Sequence, residues 1–265
     1  MLDTWQTLSS VGSGAAVGFV LGLIGGGGSI LATPLLLYVV GIAQPHVAIG
    51  TSALAVSANA YANFATHAVR RNVCWTCAIV FALVGTLGAL LGSTLGKAMD
   101  GQKLLFLFGL IMVAVGIAML RPRRERGAAH QVTNLRNCLR TGLAALVAGG
   151  ASGFFGIGGG FLIVPALIMA TGMSMSNAVG SSLLAVGTFG LATALNYAVS
   201  GMVNWAVAGL FIAGGVVGGL LGTKLSLRLA GQRNTTLARI FAGIVFVVAA
   251  YILYRSGSAL LHAAA

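Results

Sequence analysis

The chain has 265 residues, of which 58% are hydrophobic and 7% charged, and its mean hydropathy is +0.98. So few charges could not cover the surface of a water-soluble domain of this length, whereas an integral membrane protein needs no more. The formal net charge of +12 arises from basic residues in short runs between apolar segments. This pattern is typical of membrane topology and argues against a nucleic-acid partner.

The first apolar stretch contains the sequence GLIGGGGSILATP, Gly22–Pro34, in the middle of an uncharged segment, Val11–Ala43. At about 1.5 Å per residue a helix of that length would reach about 50 Å, against a hydrocarbon core of about 30 Å. Because each glycine costs a helix about 1 kcal/mol relative to alanine, we expect the helix to break at the glycines. Irregular backbone at membrane depth is tolerated only against protein or a watery cavity, so the motif predicts a cavity.

Three apolar segments of full span length follow, Val47–Val69, Val73–Leu95 and Leu104–Leu120. The only extended polar segment of the sequence, Arg121–Arg140, comes next and carries six arginines. It predicts a linker between two halves. We assign an N-terminal repeat to residues 1–121, a cytoplasmic basic linker to 122–136 and a C-terminal repeat to 137–265, all within one transmembrane domain.

The second half repeats the order of the first. Gly153–Pro165, with the sequence GFFGIGGGFLIVP, matches Gly22–Pro34 position by position, from the opening glycine to the closing proline. Gly180–Ser182 then matches Gly50–Ser52 after one deletion in the intervening turn. Such self-similarity at a fixed spacing indicates an internal duplication.

The distribution of basic residues indicates how each half crosses the membrane. If each glycine motif were a single crossing, nine basic residues would face one side and six the other. If each motif enters and returns, each half has three crossings, and the count becomes twelve against three, which the positive-inside rule favours. We therefore predict an all-α integral membrane protein whose two homologous halves form an inverted repeat, with both termini in the periplasm. Each half would contain a glycine-broken re-entrant helix pair and three transmembrane helices.

The two glycine motifs, each followed by an apolar run and then by Gly-Thr-Ser or Gly-Ser-Ser, resemble the sulfite exporter TauE/SafE family, also called the 4-toluene sulfonate uptake permease family. The resemblance extends from about Gly12 to Leu253. It implies a multi-pass transporter in the inner membrane of a bacterium or archaeon. The implied substrates are small sulfur oxyanions such as sulfite, sulfoacetate or other organosulfonates.

The glycine clusters are suited to binding such an anion. Backbone N–H groups at a helix start form an array of donors, and the helix dipole adds about half a positive charge. Glycine also removes the side chain that would hold the anion away from the backbone. We expect one site near the bilayer midplane, completed by hydroxyl groups of the following helices. The alternative for these hydroxyl groups is to cap their own helix or to bond back to a carbonyl one turn earlier. The candidate substrate-binding residues are Gly25, Gly26, Gly27, Gly28, Ser29, Thr51, Ser52, Asn59, Gly156, Gly158, Gly159, Gly160, Ser181 and Ser182.

Other polar and small residues have competing interpretations. Glycines spaced three or four residues apart, Gly85–Gly92 and Gly215–Gly222, are expected to serve close helix packing. Asn59 and Asn63, one helical turn apart, either line the cavity or tie two helices together, and Phe189 and Thr193 replace them in the second half.

A proton-linked role is considered only for one side chain. His67 is a candidate proton-linked residue or an interfacial anchor. No acidic residue lies inside an apolar segment, so a coupled proton would travel on the substrate itself. Facilitated diffusion down a substrate gradient stays open.

Three other functions compete with a transporter. A passive anion channel would share the site without needing two exclusive states. A membrane-embedded enzyme would need a base, nucleophile or metal set at membrane depth, and the sequence offers neither an acidic residue there nor a His/Cys cluster. An accessory subunit gives no reason for two glycine breaks. We expect no cofactor and no metal; the expected partners are the anion and the lipid bilayer, with the oligomeric state and the transport direction left open.

Overall fold

The computed structural model describes residues 3–24, 26–69, 73–120, 135–156, 160–171, 173, 175–228 and 235–264. All regular secondary structure in these ranges is helical. The elements are α1 (Thr4–Ile24), a 3-10 helix (Gly26–Leu31), α2 (Ala32–Tyr38), α3 (Pro45–Val69), α4 (Trp75–Ala98), α5 (Gly101–Leu120), α6 (Leu135–Phe155), α7 (Gly160–Thr171), α8 (Met175–Val199), α9 (Trp205–Arg228) and α10 (Thr235–Ala264).

The helices have the length and composition of membrane spans. Among the described residues, four stretches are long and apolar enough to cross a bilayer, at Thr4–Leu23, Trp75–Ala98, Asn177–Val199 and Trp205–Ser226. Large apolar side chains on the outside of α4 and α9 are exposed, as expected where lipid replaces water. The predicted class, an all-α integral membrane protein, is confirmed.

Capping residues set several helix starts a few residues away from the predicted span limits. α3 begins at Pro45, whose missing N–H is not needed in the first turn. α5 begins at Gly101 because the Asp100 carboxylate accepts hydrogen bonds from the backbone N–H groups of Gln102 at 3.0 Å and Lys103 at 3.1 Å. The apolar pattern locates the spans, and the caps extend them.

Both glycine motifs interrupt a helix, as the sequence predicts. α1 ends at Ile24, and the chain continues as the 3-10 helix from Gly26 and then as α2. In the second half α6 ends at Phe155, Gly156 has a φ of +64°, and α7 begins at Gly160. A positive φ is easily adopted only by glycine, which explains this residue directly after the helix end.

Glycines bring two helix pairs into direct backbone contact. α1 packs along α9, where a Cβ on Gly18 would overlap the carbonyl oxygen of Gly215. α6 packs along α4 in the same way, since a Cβ on Gly149 would overlap the carbonyl oxygen of Gly85. In the sequence duplication α1 is equivalent to α6, and α9 is equivalent to α4, so the two pairs are equivalent. The predicted packing role of Gly85–Gly92 and Gly215–Gly222 is therefore confirmed.

The corresponding helices α3 and α8 pack against each other at the centre of the bundle and run in opposite directions. Gly50, near the start of α3, faces Tyr197 near the end of α8, while Gly187 of α8 faces Tyr61 further along α3. α5 and α10 are also antiparallel, because Gly109 faces Leu253 and Gly116 faces Phe246. The buried residues of α3 and α8 form much of the core.

Candidate functional site

The two glycine breaks lie next to each other in the fold. The 3-10 helix of the first half packs against α7 of the second half, although the two motifs are far apart in sequence. Ser29 and Ile30 in the 3-10 helix and Ile163 in α7 are fully buried. The first turn of a helix leaves its N–H groups without intrahelical acceptors, so the starts of these two helices are candidate donor groups.

The candidate glycines do not all have the same environment. Gly26 and Gly27 lie in the 3-10 helix and Gly160 is the first residue of α7, while Gly25, Gly158 and Gly159 lie outside the described residues. A Cβ on Gly28 would overlap the backbone of Leu21 in α1, so this glycine also serves packing. At Gly156 a Cβ would meet the Ile49 side chain of α3.

Ser52 joins the glycine breaks of the two halves. Its Oγ lies 2.8 Å from Thr33 Oγ1, which follows the first break. The same Oγ is within donating distance of the carbonyl oxygens of Ile49 at 2.9 Å and Gly156 at 3.3 Å. The Ser52, Thr33 and Ile49 side chains are buried. A hydroxyl group that donates to the Gly156 carbonyl offsets part of the partial negative charge on that oxygen.

Thr51 and Ser181 occupy equivalent positions and make equivalent hydrogen bonds. The backbone N–H of Asn204, directly before α9, donates to Thr51 Oγ1 at 2.9 Å. The backbone N–H of Cys74, directly before α4, donates to Ser181 Oγ at 2.9 Å. Each hydroxyl oxygen thus accepts a hydrogen bond from the backbone N–H that precedes a helix of the other half. Among the described residues, neither hydroxyl proton has an acceptor of its own, so it can donate to a ligand. Ser182 donates to the carbonyl of Val179 at 2.8 Å within its helix.

Of the two neighbouring asparagines, one ties helices together and the other does not. Asn63 Nδ2 donates to the carbonyl of Asn59 at 2.9 Å, and Asn63 Oδ1 accepts from Thr223 Oγ1 of α9 at 3.0 Å. The Asn59 amide is fully buried and has no hydrogen-bond partner in the described part of the chain. His67, further along α3, is buried as well, with 4% of its surface exposed.

One polar cluster was not predicted from the sequence. Lys97 Nζ near the end of α4 donates to the carbonyl and Oδ1 of Asn196 and to Ser200 Oγ, at 2.7 to 2.9 Å. Asn196 Nδ2 donates in turn to Ser93 Oγ at 2.6 Å. From the sequence, Lys97 is interpreted only as one of the basic residues that indicate membrane orientation. The signal that could have found the cluster is Asn196 itself, an amide within a long apolar segment like Asn59.

Two surface pockets lie at the end of the bundle where α1, α3 and α9 begin. One, of about 280 Å³, lies between Gln6, Gln44 and Asn204. The other, of about 260 Å³, is lined by residues that include His46 and Asp100. Among the residues that the structure describes, no group of three or more His, Cys, Asp or Glu side chains could hold a metal ion.

A family model described as Sulfite exporter TauE/SafE matches residues 10–252 of the chain. The chain is 60% identical over 252 residues to a probable membrane transporter protein of Xylella fastidiosa (strain Temecula1). This alignment covers 95% of this chain and 96% of the relative. It is 25% identical over 267 residues to the probable membrane transporter protein YunE of Bacillus subtilis (strain 168), with coverage of 91% and 95%. A probable membrane transporter protein of Haemophilus influenzae is 28% identical over 250 residues, with coverage of 91% and 93%. No solved structure matches the chain significantly.

Proposed function

Because the chain belongs to the sulfite exporter TauE/SafE family, we propose that it is a secondary transporter that moves small sulfur oxyanions across the bacterial inner membrane by alternating access. The family and the named relatives make it a membrane transporter and not an enzyme. The proposed substrates are sulfite, sulfoacetate and other small organosulfonates.

The observation that carries this proposal is the junction of the two glycine breaks. The 3-10 helix and α7 pack together, and Ser52 connects Thr33 on one side with the Gly156 carbonyl on the other. A sulfite or sulfonate has three oxygen atoms that accept hydrogen bonds, which suits a site with donors from two directions. Backbone dipoles and neutral hydroxyls also bind less tightly than a buried cation would, so the anion can leave again.

The proposed donors are the N–H groups of the clusters Gly25–Gly28 and Gly156–Gly160 and the hydroxyl groups of the neighbouring helices. Thr51 and Ser181 are suited to this role because each uses its oxygen as an acceptor and keeps a proton to donate. The complete proposed set is Gly25, Gly26, Gly27, Gly28, Ser29, Thr51, Ser52, Asn59, Gly156, Gly158, Gly159, Gly160, Ser181 and Ser182.

Contacts between helix ends support an inverted repeat. Gln6 at the start of α1 and Gln44 just before α3 line the same pocket. Lys97 near the end of α4 bonds Asn196 near the end of α8. If each glycine motif were a single crossing, the two members of each pair would lie on opposite sides of the membrane. They lie on the same side only if each motif enters and returns.

We assign the membrane orientation from charge. The side that carries twelve basic residues is cytoplasmic by the positive-inside rule, so the linker at 122–136 faces the cytoplasm and both termini face the periplasm. The repeats at 1–121 and 137–265 would then exchange roles between an outward-open and an inward-open state, which is how inverted repeats support alternating access.

The test begins with binding by the purified protein in detergent. We expect sulfite to raise the Tm in a concentration-dependent way, because a ligand that binds only the folded state stabilises it. Sulfate, thiosulfate and methanesulfonate are the comparison anions. In proteoliposomes loaded with unlabelled sulfite, labelled sulfite should accumulate transiently by counterflow. A channel would equilibrate the label without this overshoot.

The glycine site is tested with Gly27→Val. The branched side chain would occupy the place of the anion close to the backbone N–H groups, so sulfite should no longer raise the Tm. Gly209→Ala is the matched control, since a Cβ at Gly209 meets no atom within 4 Å. Normal sulfite binding by a well-folded Gly27→Val protein would show that the anion binds elsewhere.

A further inference from the structure

The buried amide of Asn59 has no explanation in the packing of the protein. Asn59 is 0% exposed, and neither Oδ1 nor Nδ2 has a partner among the described residues. The side chain lies against Gly215 of α9, where a Cβ would overlap it. An amide that loses water without gaining a hydrogen bond destabilises the folded state, so this group requires a reason.

Helix association is not that reason. Asn63, one turn further along α3, already links α3 to α9 through Thr223, and both ends of its amide are hydrogen-bonded. Asn59 packs on the same helix as Asn63 but makes no side-chain bond to it. The structural tie and the unpaired amide are therefore separate features.

The second half shows that an apolar side chain fits at the equivalent position. Phe189 of α8 is the counterpart of Asn59 in the duplication, and it packs against Gly85, the equivalent of Gly215. The Phe189 ring also stacks on Phe81, with 6.1 Å between ring centroids. The architecture thus tolerates an apolar residue here, and the polar group occurs in one half only.

Asn59 lies on the same face of α3 as Ser52, which contacts both glycine breaks, but further along the helix. Residues at i, i+7 and i+11 of a helix share one face, and Ser52, Asn59 and Asn63 have this spacing. Asn59 is two turns, about 10 Å, from Ser52. α9 covers this face at Asn59 in the present structure, so a ligand from the glycine breaks would reach the amide when α3 and α9 separate during transport.

We propose that Asn59 binds the protonated form of the transported oxyanion, hydrogensulfite. This contact would exist in the first half only, two helical turns beyond Ser52 on α3. The assignment rests on the proposed transport of sulfur oxyanions. An unpaired primary amide offers one donor, Nδ2–H, and one acceptor, Oδ1, side by side. Hydrogensulfite offers the complement, an S–O oxygen that accepts and an O–H group that donates, so the two can form a paired ring of two hydrogen bonds.

This pairing would let the proton cross on the substrate. The three acidic residues of the chain, Asp3, Asp100 and Glu125, all lie outside the apolar segments, so a carboxylate relay is not available at membrane depth. Asn59 does not titrate and neither takes nor gives the proton. It binds the anion that carries the proton and disfavours ligands that leave Oδ1 without a donor.

The experiment compares two monoanions of similar size with the purified full-length protein at mildly acidic pH. Hydrogensulfite protonated on oxygen has an O–H donor, and methanesulfinate has a methyl group in its place. We expect wild-type protein to bind hydrogensulfite about tenfold more tightly, the effect of one hydrogen bond to a charged group. Asn59→Leu, which keeps the branched shape, should bring the ratio of the two Kd values close to 1.

Stability measurements separate this role from a packing role. Asn59→Leu should leave the Tm of the ligand-free protein unchanged or raised, because it removes an unpaired buried amide. Asn63→Leu, the matched control, should lower the Tm because Thr223 loses its partner. An unchanged Kd ratio in Asn59→Leu would overturn the assignment and leave the proposed transport function intact. Failure of the wild-type protein to bind either anion would overturn the proposed function and the assignment with it.

Discussion

Ser57 Oγ donates a hydrogen bond to the carbonyl oxygen of Gly187 at 2.7 Å, and the two residues are equivalent positions of the sequence duplication, like Gly50 and Gly180. Each therefore touches its own counterpart in the other half. Because the helices that carry them run in opposite directions, the contact lies where an axis relating the two halves would pass. The same operation exchanges the bond from Asn204 to Thr51 with the bond from Cys74 to Ser181.

The first prediction concerns membrane topology. Reporter fusions after Ala128, in the linker, and after Ala265 should give opposite signals, cytoplasmic for the first and periplasmic for the second. The reason is the proposed odd number of crossings in each half, which would invert the second half relative to the first. Identical signals from the two fusions would require an even number of crossings in the second half and would remove the inverted repeat.

The second prediction concerns the glycines between α1 and α9. A Cβ at Gly218 would overlap the carbonyl oxygen of Ala15, so Gly218→Ala should force the helices apart and cost about 1–3 kcal/mol of stability, the usual effect of overpacking. Gly209→Ala in the same helix meets no neighbour and should stabilise it by about 0.5–1 kcal/mol through helix propensity. The measurement is reversible unfolding in mixed detergent. Equal effects of the two changes would mean that the helices are not in backbone contact.

The sequence predicts the features that depend on composition and periodicity. Consecutive glycines at Gly25–Gly28 are incompatible with a continuous helix, so the break follows from the backbone alone. The opposite directions of the equivalent helices α3 and α8 agree with the inverted repeat inferred from the duplication and the charge distribution, whereas their contact is known only from the structure. Both inferences need only local patterns and simple counts.

The partners of individual polar groups could not be predicted in this way. Thr51 and Ser181 are candidate site residues in the sequence, but nothing near them indicates that each accepts a hydrogen bond from a backbone N–H of the other half. Which of Asn59 and Asn63 is paired also depends on Thr223 of α9, whose position across the interface is set by packing. Hydrogen bonds between distant segments have no signature in the local sequence.

The third prediction concerns Gly156, whose φ is +64°. Gly201 has a φ of +70° and lies in the turn after α8 with no atom within 4 Å of a Cβ, so Gly201→Ala reports backbone strain alone, about 1–2 kcal/mol. Gly156→Ala should cost more, because the added Cβ would also displace Ile49, and it should weaken sulfite binding. Equal losses of stability with unchanged binding would mean that Gly156 serves only its turn.

The last prediction separates the two serines at equivalent positions, Ser52 and Ser182. Ser52→Ala would leave Thr33 Oγ1 and the Gly156 carbonyl without their shared hydroxyl in a buried place, at a cost of about 1–3 kcal/mol. Ser182→Ala removes only a bond to the Val179 carbonyl, so it should cost less, about 0.5–1.5 kcal/mol.

The two variants should also differ in sulfite binding. Val164 stands where Thr33 stands in the first half, so no hydroxyl pair links Ser182 to the second glycine break, and the junction is one-sided. Thermal unfolding and sulfite titration of both variants provide the measurement. We expect Ser52→Ala to lose both stability and sulfite affinity and Ser182→Ala to keep most of each. Equal effects would mean that the junction does not depend on Ser52 and that the two halves bind the anion alike.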